Sequence, residues 1–251
     1  MIESLPLIAS AALVGYLVGL TGVGGGALMT PVLILGFGIN PIVAIATDLL
    51  FATITKLFAT VVHGSKKSVD WNTAKKLWSG SIPGVAIGFG FVLLIGTQIE
   101  AAITWLLAII LLLTAISMFF GFNVSFKAKP TNQARLGGGF IGFAVSTTSV
   151  GAGALGMALL RLLLGDKHPQ KLVGTDLVHA IPVALLAGSG YAFAGFLDIG
   201  LLGVMLLGAV PAAILGSFSS FRLNGAVLRK ILAIVLLLAS LLIAAESVGL
   251  F

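Results

Sequence analysis

Cysteine is absent from the 251-residue chain and histidine occurs three times. The first absence excludes disulfides and thiolate metal sites, and three scattered imidazoles do not make a metal cluster. Charge is scarce too, at 9% of residues, where soluble domains carry roughly 25%. With 59% hydrophobic residues and a mean hydropathy of +1.18, the composition is that of an integral membrane protein. No Gly-x-Ser-x-Gly or His-Glu-x-x-His pattern occurs, so an intramembrane enzyme built on Asp48, Asp176 or His179 has no motif behind it, and neither an enzymatic activity nor a cofactor is expected. The start, Met1-Ile2-Glu3, lacks the basic leader of a cleavable signal, so the first apolar run is read as mature structure.

Long apolar stretches are plentiful. The charge-free runs 77–98 and 101–126 exceed the ~18 to 20 residues that cross a bilayer as a helix. Strands of a transmembrane barrel would be about 10 alternating residues, which excludes that architecture. The net charge of +6 sits in short links between apolar runs, where it sets orientation; no nucleic-acid partner is implied, and the partners expected are the lipid bilayer and a small anionic substrate.

Glycine interrupts these runs at one place in particular. Thr21-Gly22-Val23-Gly24-Gly25-Gly26-Ala27 lies inside an otherwise apolar segment. Each glycine costs a helix interior about 1 kcal/mol relative to alanine, so the cluster breaks the helix. In lipid the freed backbone groups are tolerated only against protein or a watery cavity, which makes the break a candidate binding site. Val150-Gly151-Ala152-Gly153-Ala154-Leu155 repeats the pattern. Beyond it, residues 41–88 superimpose on 169–216 at a constant offset of 128, pairing Pro41 with Pro169, Thr47-Asp48 with Thr175-Asp176, Asp70 with Asp198 and Pro83 with Pro211. This spacing reads as a tandem duplication.

The first repeat, 1–121, then comprises a broken segment 5–37 and spans 42–63, 77–96 and 101–121. A cytoplasmic linker covers 122–137. The second repeat, 138–251, comprises a broken segment 138–164 and spans 171–194, 199–220 and 226–245. If each broken segment crosses the membrane, the loop lysines and arginines divide almost evenly between the faces. If each turns back as a re-entrant hairpin, Lys66, Lys67, Lys75, Lys76, Lys127, Lys129, Arg135, Arg161, Lys167, Lys171, Arg222, Arg229 and Lys230 all fall on one face. The positive-inside rule selects the second arrangement. The expected fold is therefore all-α and polytopic, with two inverted repeats of one re-entrant helical hairpin and three transmembrane helices each, and both termini outside.

Inverted repeats with broken helices are the usual frame of secondary transporters, whose sites lie near the midplane. Here the two hairpin tips meet there, each starting a half-helix at Ala27 or Ala154 whose free N–H groups attract an anion. The expected substrate-binding residues are Thr21, Gly24, Gly25, Gly26, Ala27, Lys56, Ser149, Gly151, Ala152, Gly153 and Ala154. Scattered glycines such as Gly84 and Gly88 read instead as helix packing. Asp48 and Asp176 are buried in spans, where an ionised carboxylate is costly; they either couple an ion or brace hairpin to helix, with Thr47, Thr175 and His179 assisting. His179 lies one turn after Asp176, in reach of a hydrogen bond. Lys56 has no basic counterpart, since Ala184 stands at the equivalent position; it either counters an anionic substrate, pairs with Asp48 or snorkels inward. The hydroxyls of Thr21, Ser146, Thr147, Thr148 and Ser149 either back-bond to their own helix or, at a hairpin tip, donate to an oxyanion; Asp70 and Asp198 read as helix caps, and Trp71, Trp78 and Trp105 as interfacial belt.

Gly19-Leu20-Thr21-Gly22-Val23-Gly24-Gly25-Gly26, followed by Pro31, Thr47-Asp48, His63 and Val69-Asp70-Trp71, resembles the TauE/SafE family of membrane permeases over essentially the whole chain. The second glycine motif departs from it, with Gly151-Ala152-Gly153 in place of three glycines. The resemblance implies transport of a small sulfur-containing anion, such as sulfite or an organosulfonate, across the bacterial cytoplasmic membrane and often outward. The alternative is an anion channel whose filter is formed by the two re-entrant hairpins.

Overall fold

The computed structural model describes residues 4–21, 26–63, 69–96, 100–120, 130–151, 153–164, 169–219 and 225–248. Among these there is no strand. Ten helices follow in order: α1 (Ser4–Thr21), α2 (Gly26–Pro31), α3 (Pro41–His63), α4 (Trp71–Phe91), α5 (Glu100–Phe120), α6 (Pro130–Thr148), α7 (Ala154–Leu164), α8 (Pro169–Phe193), α9 (Ile199–Ser219) and α10 (Gly225–Ser247). α2 runs on as a π-turn over Val32–Gly36, and α4 as another over Val92–Gly96. α3, α4, α5, α8, α9 and α10 are long and apolar enough to cross a membrane. α6 starts at Pro130, well before the glycine motif, and α7 is 11 residues long, about 16 Å or half a bilayer. The outward faces carry large apolar side chains such as Leu94, Phe193, Ile199 and Leu207, as a lipid-facing surface requires.

Small residues decide which helices touch. Gly80 and Gly84 of α4 lie against the carbonyls of Arg135 and Gly139 on α6, and Gly138 and Gly142 of α6 lie against those of Leu77 and Ser81 on α4. α1 and α9 do the same, with Gly15 and Gly19 against Ala209 and Ala213, and Gly208 and Gly216 against Ile8 and Tyr16. At most of these positions a Cβ would overlap the facing backbone, so glycine is what lets the axes approach. In both pairs the residue numbers rise together, so α4 runs parallel to α6 and α1 parallel to α9.

Two hydrogen bonds tie helix starts across the halves. The Asp70 N–H donates to Thr175 Oγ1 at 2.9 Å, and the Asp198 N–H to Thr47 Oγ1 at 3.4 Å. Thr47 and Thr175 are each the seventh residue of their helix. The same aspartates cap their own helices, with Thr73 N–H donating to Asp70 Oδ1 at 3.0 Å and Leu201 N–H to Asp198 Oδ1 at 2.8 Å. Further along, Ser81 meets His179 and the ring of Phe89 meets that of Tyr191 with centroids 5.0 Å apart. α4 and α8 therefore run in the same direction. α5 and α10 touch where the Ser240 hydroxyl donates to the Ala108 carbonyl.

Candidate functional site

α6 ends where its hydroxyls turn inward on their own backbone. Thr147 Oγ1 donates to the Phe143 carbonyl at 2.8 Å, Thr148 Oγ1 to Ala144 at 2.7 Å and Ser146 Oγ to Phe143 at 3.0 Å, so of the two uses open to them these three hydroxyls bond their own helix. Ser149 then takes φ 60° and Gly151 φ 125°. The first is unusual for a residue with a side chain, and the second is open to glycine alone at no strain. α7 starts after this turn, with the Gly156 N–H donating to the Gly151 carbonyl at 3.0 Å and Met157 N–H to Gly153 at 2.9 Å.

The start of α2 lies directly against this turn. A Cβ on Gly26 would overlap the Ser149 carbonyl, so the two glycine segments touch. Between them is a cavity lined by Gly26, Ala27, Lys56, Ser149, Gly151 and Gly153, closed on its apolar side by Leu49, Ala52, Val145 and Ala184. Its volume is about 10 Å³, room for roughly one water. Of the expected anion-binding residues, Gly26, Ala27, Lys56, Ser149, Gly151 and Gly153 are thus gathered at one cavity. Gly24, Gly25 and Ala152 lie outside the described residues, as do the side chains of Thr21 and Ala154.

Lys56 is 2% exposed and does not reach the membrane surface. Beside the cavity its charge interacts with that of Asp176, on α8. The two buried carboxylates differ in their partners. Asp48 Oδ2 accepts a hydrogen bond from the Thr30 hydroxyl on α2. Among the described residues neither oxygen of Asp176 has a hydrogen-bond partner, and Oδ1 sits against the Cα of Gly156 on α7. Met157 stands where the first half has Thr30, so the second half has no hydroxyl to offer.

Two expectations are corrected here. His179 does not bond Asp176; its Nε2 pairs with Ser81 Oγ at 2.9 Å across α4 and α8, and its Nδ1 has no partner among the described residues. Trp78 is not a belt residue, because its Nε1 donates to the His179 carbonyl at 3.3 Å. Trp71 and Trp105 are exposed, as an interfacial or lipid-facing position requires. Thr47 and Thr175 hold helix starts rather than carboxylates. Thr30 and Ser81 were missed; the only sequence signal was a hydroxyl inside an apolar helix, which is too common to single out.

A bundle of membrane-length helices around a buried cationic cavity defines a polytopic membrane protein of the transporter class. Residues 7–243 match the family described as "Sulfite exporter TauE/SafE", and the chain belongs to it. It is 36% identical over 252 residues to "Probable membrane transporter protein YjnA" of Bacillus subtilis (strain 168), covering 95% of this chain and 98% of that one. It is also 39% identical over 84 residues to "Probable membrane transporter protein YunE" of the same organism, 32% of this chain and 31% of that one. No solved structure matches significantly.

Proposed function

We propose that the protein is a secondary transporter for a small sulfur-containing anion, sulfite or an organosulfonate, working by alternating access in a bacterial cytoplasmic membrane. The observation that carries this reading is the cavity between the two glycine segments, with one buried ammonium, the Ser149 hydroxyl and the backbone of two helix starts around it. A buried cation, a hydroxyl and backbone N–H groups gathered at one small cavity suit an oxyanion. The sulfur chemistry comes from the family description.

The membrane arrangement proposed is two inverted repeats, each with a re-entrant hairpin, α1 with α2 and α6 with α7. Helix directions support it. α4 and α8 are parallel with α5 and the α6–α7 segment between them. One crossing by α5 and one by α6–α7 would make them antiparallel only if α6–α7 spanned; a hairpin that returns to its own face leaves them parallel. Both termini then lie outside.

Saturable counterflow of labelled sulfite in proteoliposomes tests the proposal. Lys56→Met should weaken apparent affinity by about ten- to a hundredfold, the value of one hydrogen bond to a charged group of ~1.5–3 kcal/mol. Unsaturable conductance without counterflow would assign the protein to the channel class instead, a reading disfavoured by a cavity this narrow. Absence of any sulfite or sulfonate flux overturns the substrate assignment.

A further inference from the structure

We propose that Asp176 carries one proton with each transported anion, and that Lys56 is the switch that links the two. This deepens the anion-transport reading and rests on it. The duplicated carboxylates are not equivalent. Asp48 is held by the Thr30 hydroxyl, whereas Asp176 is 1% exposed and among the described residues neither of its oxygens has a hydrogen-bond donor. A carboxylate there depends on a counter-charge. Lys56 is the buried cation at hand: it lines the cavity with Gly151, and the Gly151 carbonyl accepts from the N–H of Gly156, whose Cα sits against Asp176. It comes from the opposite half and has no symmetric copy, because Ala184 takes the equivalent place.

The same ammonium lines the cavity beside Ser149, Gly151 and Gly153. One cation therefore faces two negative groups, the carboxylate of Asp176 and the anion. With the cavity empty, Lys56 balances Asp176. When a monovalent anion enters, the buried cluster acquires one uncompensated negative charge, which a dry interior opposes strongly. Addition of H⁺ to the Asp176 carboxylate, giving the neutral carboxyl, restores the balance; departure of the anion releases that proton. Anion and proton then cross together with no net charge.

Among the described residues, the other buried carboxyl and imidazole groups on the elements around Asp176 are Asp48 of α3, bonded to Thr30, and His179 of α8. α3 brings Lys56, and α7 brings the Cα of Gly156. α4 and α6 meet α8 through Ser81 on His179 and the Ser146 carbonyl on Tyr191. His179, on α8 itself, also feels the Lys56 charge. Gly156 is joined to the cavity-lining Gly151 by one backbone hydrogen bond, so movement of the α7 start as the cavity opens would act on the carboxylate directly.

Titration calorimetry of the purified protein with methanesulfonate, in two buffers of different ionisation enthalpy, tests this, because that anion is fully ionised and any proton taken up belongs to the protein. On the order of one proton should enter per anion bound, and affinity should fall about tenfold per unit rise in pH over the linked range. Asp176→Asn should bind the anion with no linked proton, while His179→Gln keeps the linkage. Binding by the wild type without proton uptake, or uptake that survives in Asp176→Asn, overturns the coupling role and leaves the anion site standing. No binding by the wild type overturns the anion site, and this inference with it. Should Asp176→Asn not fold, infrared difference spectra of the wild type decide: a protonated-carboxyl band appears on adding methanesulfonate, and its absence refutes the proposal.

Discussion

Asp48 and Asp176 show how one duplicated residue can acquire two settings from its neighbours. Thr30 donates to Asp48, while Met157 can donate nothing to Asp176. Thr30→Val keeps the shape and removes the hydroxyl that α2 donates to Asp48. A buried acceptor left unsatisfied costs about 1–3 kcal/mol, so this variant should unfold at a lower temperature in detergent, while Thr53→Val, whose hydroxyl bonds only its own helix, should change stability little. Equal melting of the two variants would show that the Thr30 bond does not hold α2 to α3. The carboxylates themselves were legible in the sequence, because a charge in an apolar span is rare. Their partners were not: Thr30 sits on another helix, and the residues bonded by Thr47 and Thr175 lie 151 and 105 positions away. Spacing along a chain carries no information about which hydroxyl meets which distant backbone.

At the scale of elements, glycine had two uses that composition alone could not separate. Clusters that interrupt an apolar run lie at the cavity, whereas glycines four residues apart bring helices together, and the spacing did distinguish these. What it did not reveal was the partner, since Gly80 and Gly84 pack against α6, in the other half of the chain. A side chain at Gly84 would overlap the Gly139 carbonyl, while Gly90 has open space around it. Gly84→Ala should therefore cost about 1–3 kcal/mol through forced separation of α4 and α6, and Gly90→Ala should be neutral or slightly stabilising. Unfolding in a graded denaturant measures both. The length of α6 was also hidden: the polar Pro130-Thr131-Asn132-Gln133 lowers the hydropathy without breaking the helix, so a reading that follows apolarity starts it too late.

For the whole molecule, the decisive question is whether each glycine break turns the chain back. Lysine and arginine positions argued for it from sequence, and the parallel course of α4 and α8 argues for it independently, since the two lines share no assumption. The chain has no cysteine, so single cysteines report sidedness on a clean background. Gly36, at the end of the π-turn after α2, and Ala194, just beyond α8, are both exposed, and no atom crowds a side chain at Gly36. With re-entrant hairpins these two positions share a face, and Asn72, exposed at the start of α4, lies on the other. With spanning segments, Gly36 and Ala194 lie on opposite faces. Gly36→Cys and Ala194→Cys should therefore both react with a membrane-impermeant maleimide added outside intact cells, and Asn72→Cys should react only after permeabilisation. Labelling of Gly36→Cys and Ala194→Cys from opposite sides would exclude the inverted arrangement, and with it the meeting of two symmetry-related hairpin tips at the membrane centre.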